Sequence, residues 1–177
     1  MSQIIEFLSG TGKDHRGRTL EEVLQYDDSE FDHCHDFIQW MFPLPKASNH
    51  FKGGGCPVIT LGDMIDIRNS VQLQENLIKN VEKFLKFLGF EVTWDHLGNA
   101  TVDLSESFPE QVKYWLRPRD HNHLRINRMI QCLVLSDQEE LAKSIFRTLV
   151  MIKCEFDDWI TDETMVYWRN ALTGYSY

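Results

Sequence analysis

The sequence has no CxxC pair, no HxxxH spacing and no long apolar run, and each absence removes a class of protein. Without paired spacing, Cys34, Cys56, Cys132 and Cys154 read as free thiols of a reducing cytoplasm, each a small hydrophobe rather than a metal or redox ligand. The segment before Leu20 carries Glu6, Lys13 and Asp14 and no continuous apolar core, so no secretory signal peptide is expected. The uncharged stretch Met129 to Ser136 falls far short of the roughly 20 residues a spanning helix needs. A soluble, cytoplasmic protein with no transmembrane segment is the expectation. Ser9-Gly10-Thr11-Gly12-Lys13 fails as a phosphate loop, because Phe7 stands where the motif needs glycine and Asp14 where it needs Ser or Thr. A nucleophile elbow, a paired-carboxylate signature and a cofactor fingerprint are also missing, so neither an enzyme nor a cofactor is expected. Asn99-Ala100-Thr101 fits a glycosylation sequon by letter but lacks the secreted context it requires. No repeat, low-complexity tract or linker divides the 177 residues. A single domain over 1–177 is expected, with its motif core at about 4–151 and a C-terminal docking helix at about 161–173.

What the chain does have is material for a core. Apolar residues make up 42% of it, with eleven Phe, five Trp and five Tyr. A chain of this length buries roughly 70% of the surface it exposes when unfolded, and this apolar and aromatic content argues against intrinsic disorder. The net charge of −9 is unevenly spread. From Thr19 to Leu44 there are seven acids and no Lys or Arg, whereas Lys113 to Arg128 holds Lys113, Arg117, Arg119, Arg125 and Arg128 against Asp120 alone. Either the two segments attract each other in the fold or the basic one is reserved for an anionic partner.

Helix signals dominate, and a compact all-helical bundle of about seven to eight helices is expected. Thr19 and Glu22 form a capping box that opens a helix ending near Asp27, and Ser29 with Asp32 starts another from about Glu30 to Phe42, stopped by Pro43. Lys46 to Pro57, with three consecutive glycines, reads as a loop. Thr60 with Asp63 restarts a short helix. Ser70 caps the longest one, whose Leu73, Leu77, Val81, Phe84 and Leu88 fall at helical spacing before Gly89. Residues 90–104 alternate as a small hairpin would. Pro109 sits at a first helical position, Asp120 or Asn122 caps a helix to about Leu135, Ser136 with Glu139 opens the next, and Thr161 caps the last, which docks through Met165, Val166, Trp168 and Leu172 before Gly174.

On the helix after Asp120, His121, Arg125, Arg128 and Cys132 fall at i, i+4, i+7 and i+11, beside an apolar stripe of Ile126, Met129, Ile130 and Leu133. A guanidinium at the edge of a buried face can grip a carboxylate or a phosphate through two parallel hydrogen bonds. Glu30, Asp32 and Asp36 are the intramolecular candidates for that role. The candidate ligand-binding residues are therefore His121, His123, Arg125, Arg128, Arg117, Arg119, His35 and Trp40. His35 shares a helical stripe with Phe31, Ile38 and Phe42 and is expected to face the core, and Trp40 is expected to be a core residue rather than an exposed docking one. His33 with His35, and His121 with His123, cannot chelate a metal as pairs, because helical residues two apart point to nearly opposite faces. No metal site is expected. Nucleic acid is disfavoured as a partner by the bulk acidity.

Three strings recur in order: Gly17-Arg18-Thr19-Leu20-Glu21-Glu22-Val23-Leu24, His35-Asp36-Phe37-Ile38-Gln39-Trp40-Met41-Phe42-Pro43-Leu44, and Asn122-His123-Leu124-Arg125-Ile126-Asn127-Arg128. With Trp115 and Tyr167-Trp168-Arg169, they resemble the motif set of the opioid growth factor receptor conserved domain, and the chain looks like a short stand-alone member. The resemblance implies a mostly helical fold. It also implies kinship with vertebrate receptors for the pentapeptide methionine-enkephalin, which associate with the nucleus and nuclear membrane, restrain proliferation and are not seven-helix receptors. It transfers no catalytic residues. The expected function is a non-enzymatic binding domain for a peptide or protein. The alternative is a small-anion or phosphate binder, or an enzyme, using Arg125, Arg128 and His121. The residues leave the oligomeric state open.

Overall fold

Side-chain caps set most of the helix starts in the computed structural model, which describes residues 1–49, 51 and 55–173. Ten α-helices and one two-stranded hairpin are present among them. The chain groups into two compact units, Met1–Lys83 and Phe84–Tyr177.

In the first unit, α1 (Gln3–Ser9) is capped by Ser2, α2 (Leu20–Leu24) by the Thr19/Glu22 box, and α5 (Leu61–Asn69) by a second box of Thr60 and Asp63. The Ser2 hydroxyl also donates to Asp63 at 2.6 Å, tying the starts of α1 and α5 together. The last carbonyls of α1 have no partner inside their own helix. Asn76 and Gln72, on α6 (Val71–Leu88), donate side-chain amides to Leu8 O and Ser9 O and so cap α1 from outside. Phe7, Phe31, Phe37, Met41, Phe42 and Val81 fill the centre.

The expected helix from Glu30 to Phe42 is instead two helices, α3 (Asp28–His33) and α4 (Ile38–Met41). The box that starts α3 pairs Asp27 with Glu30, not Ser29 with Asp32. Cys34 then leaves helical geometry (φ −82°, ψ 124°). Two gains offset the broken helix. Phe31 and Phe37 pack edge to face with centroids 4.8 Å apart, which a continuous helix would forbid because residues six apart point about 120° away from each other. The break also turns Asp36 toward Arg18. The loop expected over Lys46 to Pro57 lies partly outside the described residues, since His50 and Lys52 to Gly54 are not among them; Leu44 and Val58 flank it in a single parallel bridge.

In the second unit, α6 ends at Gly89, whose φ of +85° suits glycine. The strands β1 (Phe90–Trp94) and β2 (Ala100–Leu104) pair antiparallel, Phe90 opposite Leu104 and Val92 opposite Val102. The other edge of β2 lies on α9 (Glu139–Glu155): Val102 N–H donates to Ser144 Oγ (3.0 Å) and Val102 C=O accepts from Thr148 Oγ1 (2.5 Å). Two hydroxyls one helical turn apart thus stand in for a third strand and satisfy a buried edge. Then come α7 (Phe108–Trp115), α8 (His121–Leu135) capped by Asp120, and α10 (Asp162–Ala171) capped by Thr161, with α8, α9 and α10 packed on one another. Met165 and Trp168 of α10 are buried as expected, while Val166 is half exposed; Gly174 lies outside the described residues. Ser136 closes α8 rather than opening α9, because Asp137 takes a left-handed φ of +60° that interrupts the helix.

Gly89 is constrained twice. A Cβ there would sit 2.6 Å from Phe108 Cα, a main-chain atom that cannot swing away. Gly89→Ala is expected to lose about 1–3 kcal/mol from the strained φ and the clash together, read as a drop in urea midpoint at unchanged slope. A loss of only a few tenths would mean that α7 can shift freely away from the turn.

Candidate functional site

The start of α8 is built by the loop that precedes it. Leu116 ends α7, Arg119 takes a left-handed φ of +58°, and Asp120 caps α8 by accepting from Asn122 N at 2.8 Å. The other Asp120 oxygen pairs with Arg117 Nε at 2.6 Å, and His121 Nδ1 lies 3.6 Å from the first. Asn122 is wholly buried, donating to Tyr114 O (3.0 Å) and accepting from Arg125 Nη1 (3.1 Å). The N-terminal turn of α8 is thus fixed to the end of α7 through side-chain amide and carboxylate bonds.

The structure divides the sequence-predicted residues into groups. Arg117 and Arg119 are exposed, and His121 is partly so. They precede exposed Leu124 in the sequence and make the approach to the start of α8 accessible and basic. Arg125 and Arg128 are buried to within a few percent, more deeply than the expected position at the edge of the buried face. The apolar stripe of Ile126, Met129, Ile130 and Leu133 is fully buried. One turn on from Arg128, the thiol of Cys132 is pushed up to about 12 by burial, against the opposing effects of Ser136 and the Arg128 charge. It stays a protonated hydrophobe at neutral pH.

His123 is a wall of the core, not part of the exposed end. Its Nε2 lies 2.9 Å from Trp115 O and must carry the proton, since a carbonyl only accepts. The ring meets Trp115 and Trp168 edge to face, and Trp168 Nε1 donates to His123 O. Nδ1 is buried with no hydrogen-bond partner among the described residues. Burial disfavours the imidazolium, and although the Trp115 carbonyl and Asp120 favour it, the pKa falls below its ordinary value of 6.5. As pH drops, the unfolded chain therefore takes up this proton before the folded one does. The stabilisation from neutral His123 is complete above about pH 6.5 and is lost progressively below it, toward the lower folded value. The urea midpoint should fall from pH 7 to pH 5.5 with a steeper slope in the parent than in His123→Asn. Identical slopes would show that His123 does not carry the effect.

His35 and Trp40 belong to the first unit. His35 is exposed and sits in the break between α3 and α4, so the expectation that it faces the core is corrected: the stripe with Phe31, Ile38 and Phe42 required a helix that ends at His33. Trp40 is 3% exposed, packs on Phe7 with centroids 5.4 Å apart and donates Nε1–H to His15 Nδ1, which makes it a core residue.

Sequence reasoning missed a polar cluster in this unit. Arg18 pairs with Asp14 (2.6 Å) and with Asp36 (2.9 Å), and reaches Tyr26 OH (3.1 Å) and Cys34 Sγ (3.3 Å). Arg16 and His15 also face Asp36. The acidic stretch therefore finds cations in its own unit at Asp36, while Glu30 is held by the Asp27 N-cap. One acid followed by a histidine and two arginines in Asp14-His15-Arg16-Gly17-Arg18 was the available signal. Among the described residues, no three His, Cys, Asp or Glu side chains gather closely enough to hold a metal ion, and no helix is long and apolar enough to cross a membrane.

The conserved region of the opioid growth factor receptor matches residues 13–173. The chain is 30% identical to the human and rat proteins named opioid growth factor receptor over 122 residues, which is 66% of this chain and 17% and 20% of theirs. It is 28% identical to the Xenopus tropicalis opioid growth factor receptor-like protein 1 over 120 residues, 66% of this chain and 22% of that one. The chain thus corresponds to about a fifth of the length of these relatives. No solved structure matches it.

Proposed function

The chain belongs to the opioid growth factor receptor conserved-region family, and from that premise we propose that it is a non-enzymatic binding domain whose ligand is a peptide or protein. The observation that carries this reading is the family match across residues 13–173, with relatives that are themselves named receptors. An opioid peptide of the methionine-enkephalin type is the finer ligand suggested by that kinship. The geometry favours a surface that recognises rather than transforms: a rigid helix start with Arg117, Arg119, His121 and Leu124 presented around the buried Asn122 anchor. A second reading, a small-anion or phosphate binder, draws on the charge excess between Lys113 and Arg128.

A thermal-shift comparison of methionine-enkephalin and unrelated short peptides against inorganic phosphate, nucleotides and sugar phosphates separates the two. A ligand at 100 times its dissociation constant stabilises by about 2.7 kcal/mol, well within detection. Stabilisation by peptide, weakened in Arg119→Ala, is the expected result. Stabilisation by phosphates alone, abolished in the same variant, would replace the peptide reading by the anion reading. A shift by neither class would remove α8 as the binding site.

A further inference from the structure

We propose that the apolar groove formed by α7, the end of β2 and the C-terminal end of α9 docks a basic segment of a partner protein, anchored by large apolar side chains. The groove has a volume of about 450 Å³ and is lined by Leu104, by Phe108, Pro109, Val112 and Leu116 along α7 and its end, and by Phe156 and Trp159, with Glu155 on its rim. Phe108 is nearly buried and packs 6.5 Å from Phe156, so the floor is part of the core and holds its shape. Trp159 stands on the short 3-10 turn Asp157–Trp159 and is 48% exposed. A half-exposed tryptophan beside a preformed apolar hollow is the arrangement that anchors peptides, since the ring supplies large contact area at little conformational cost.

The charge around the groove selects the partner. Asp103 to Glu110 carries Asp103, Glu106 and Glu110, and Glu155 to Glu163 carries Glu155, Asp157, Asp158, Asp162 and Glu163; neither segment contains Lys or Arg. Three cations lie just outside: Arg117, which follows the lining Leu116 and pairs with Asp120, and two lysines. Lys153 pairs with Asp157 (2.5 Å) and Asp162 (3.1 Å), while Lys113 sits over the Tyr114 ring. Two lysines do not offset eight carboxylates, and Arg117 is matched by Asp120, so the segments that border the groove are net negative. Exposed charges act over about 8 Å at physiological ionic strength, which reaches across a groove of this size. That field repels nucleic acid and anionic lipid and favours a segment in which Leu, Phe or Met enter the hollow while flanking Lys or Arg meet the rim. The groove shares no residue with the basic stripe of α8, so it stands or falls apart from the reading of that helix.

The test is fluorescence anisotropy of a labelled short peptide with Leu and Phe at helical spacing and Lys at the intervening positions, beside a twin carrying Glu for every Lys. The Lys peptide should bind, bind more weakly as salt rises, and lose on the order of tenfold in affinity to Trp159→Ala. Asp158→Lys, a change at an exposed position that leaves the core untouched, should weaken it as well and serves if Trp159→Ala does not fold. The proposal is overturned if neither peptide binds, if both bind alike, or if the variants bind as the parent does. Sedimentation covers the remaining occupant: a dimer of this chain that dissociates in Asp158→Lys and resists the Lys peptide would show that a second copy fills the groove, and would overturn the proposal too.

Discussion

Arg18→Met is expected to destabilise the first unit by about 3–5 kcal/mol, the cost of stranding buried carboxylates rather than of losing a surface ion pair. The Asp14 side chain is wholly buried and that of Asp36 nearly so, and one guanidinium with 15% of its own side chain exposed touches both. Burial pulls the Arg18 pKa down, but the bonds to Tyr26 and Asp14 and the two carboxylate charges outweigh it and raise it. Methionine matches the length of the stem and supplies none of these bonds. Asp14 would keep the backbone amides of Arg16 and Arg18, and Asp36 would keep Arg16, whose side chain is mostly in water. Pairs in water contribute about 0–1 kcal/mol, so Arg16 cannot replace Arg18. The pH dependence gives an independent check. Burial alone would raise Asp36, yet the Cys34 thiol and the charges of Arg18 and Arg16 hold it below the ordinary carboxylate range. Its contribution is therefore present above about pH 4 and is lost as pH falls through the lower folded value. In Arg18→Met the part of the depression that Arg18 supplies is gone while the Cys34 bond and Arg16 remain, so the gap in urea midpoint between parent and variant should narrow in part on going from pH 7 to pH 3.5. A loss below about 1 kcal/mol, or a gap that does not change with pH, would place Arg18 among ordinary surface residues.

This cluster marks where reading the sequence stopped short. Local chemistry was legible wherever a short pattern decides the outcome: the boxes at Thr19 and Thr60, the cap at Thr161, the left-handed stop at Gly89, and the hairpin between Phe90 and Leu104. What failed needed tertiary information. A helical stripe through Phe31, His35, Ile38 and Phe42 is present in the letters, yet Phe37 packing on Phe31 and Asp36 reaching Arg18 are worth more than the intervening turn of helix. At the site, spacing placed Arg125 and Arg128 on one stripe correctly. It could not tell that both are buried while Arg117 and Arg119 stay outside, because exposure there depends on how α7 ends. The hydroxyls of Ser144 and Thr148 bonding Val102 were equally invisible, since their partner lies more than forty residues away.

Trp168→Ala is the second large effect, about 3–5 kcal/mol, and it tests whether the C-terminal string Tyr167-Trp168-Arg169 is structural. Trp168 is fully buried while Tyr167 and Arg169 on either side of it are exposed, so within this string the tryptophan alone faces inward, in line with buried Met165 and Ala171. Its ring meets the His123 imidazole edge to face with centroids 5.4 Å apart, and its Nε1–H donates to His123 O at 2.9 Å. Truncation opens a cavity beside the buried His123, whose charged form is held off by desolvation. Two signatures should then appear together. The midpoint of unfolding should drop at pH 7, and the part of the acid-induced loss between pH 7 and pH 5.5 that His123 causes should shrink, because a hydrated imidazole titrates nearer its ordinary value in both states. Trp168→Phe separates the contributions. It retains most of the packing and removes only the hydrogen bond, so it should lose about 1–2 kcal/mol and leave the pH dependence largely intact. If Trp168→Ala instead lowered peptide affinity while stability stayed near that of the parent, α10 would belong to the binding surface, and the buried stack of Trp115, His123 and Trp168 would not be what holds α8 in place.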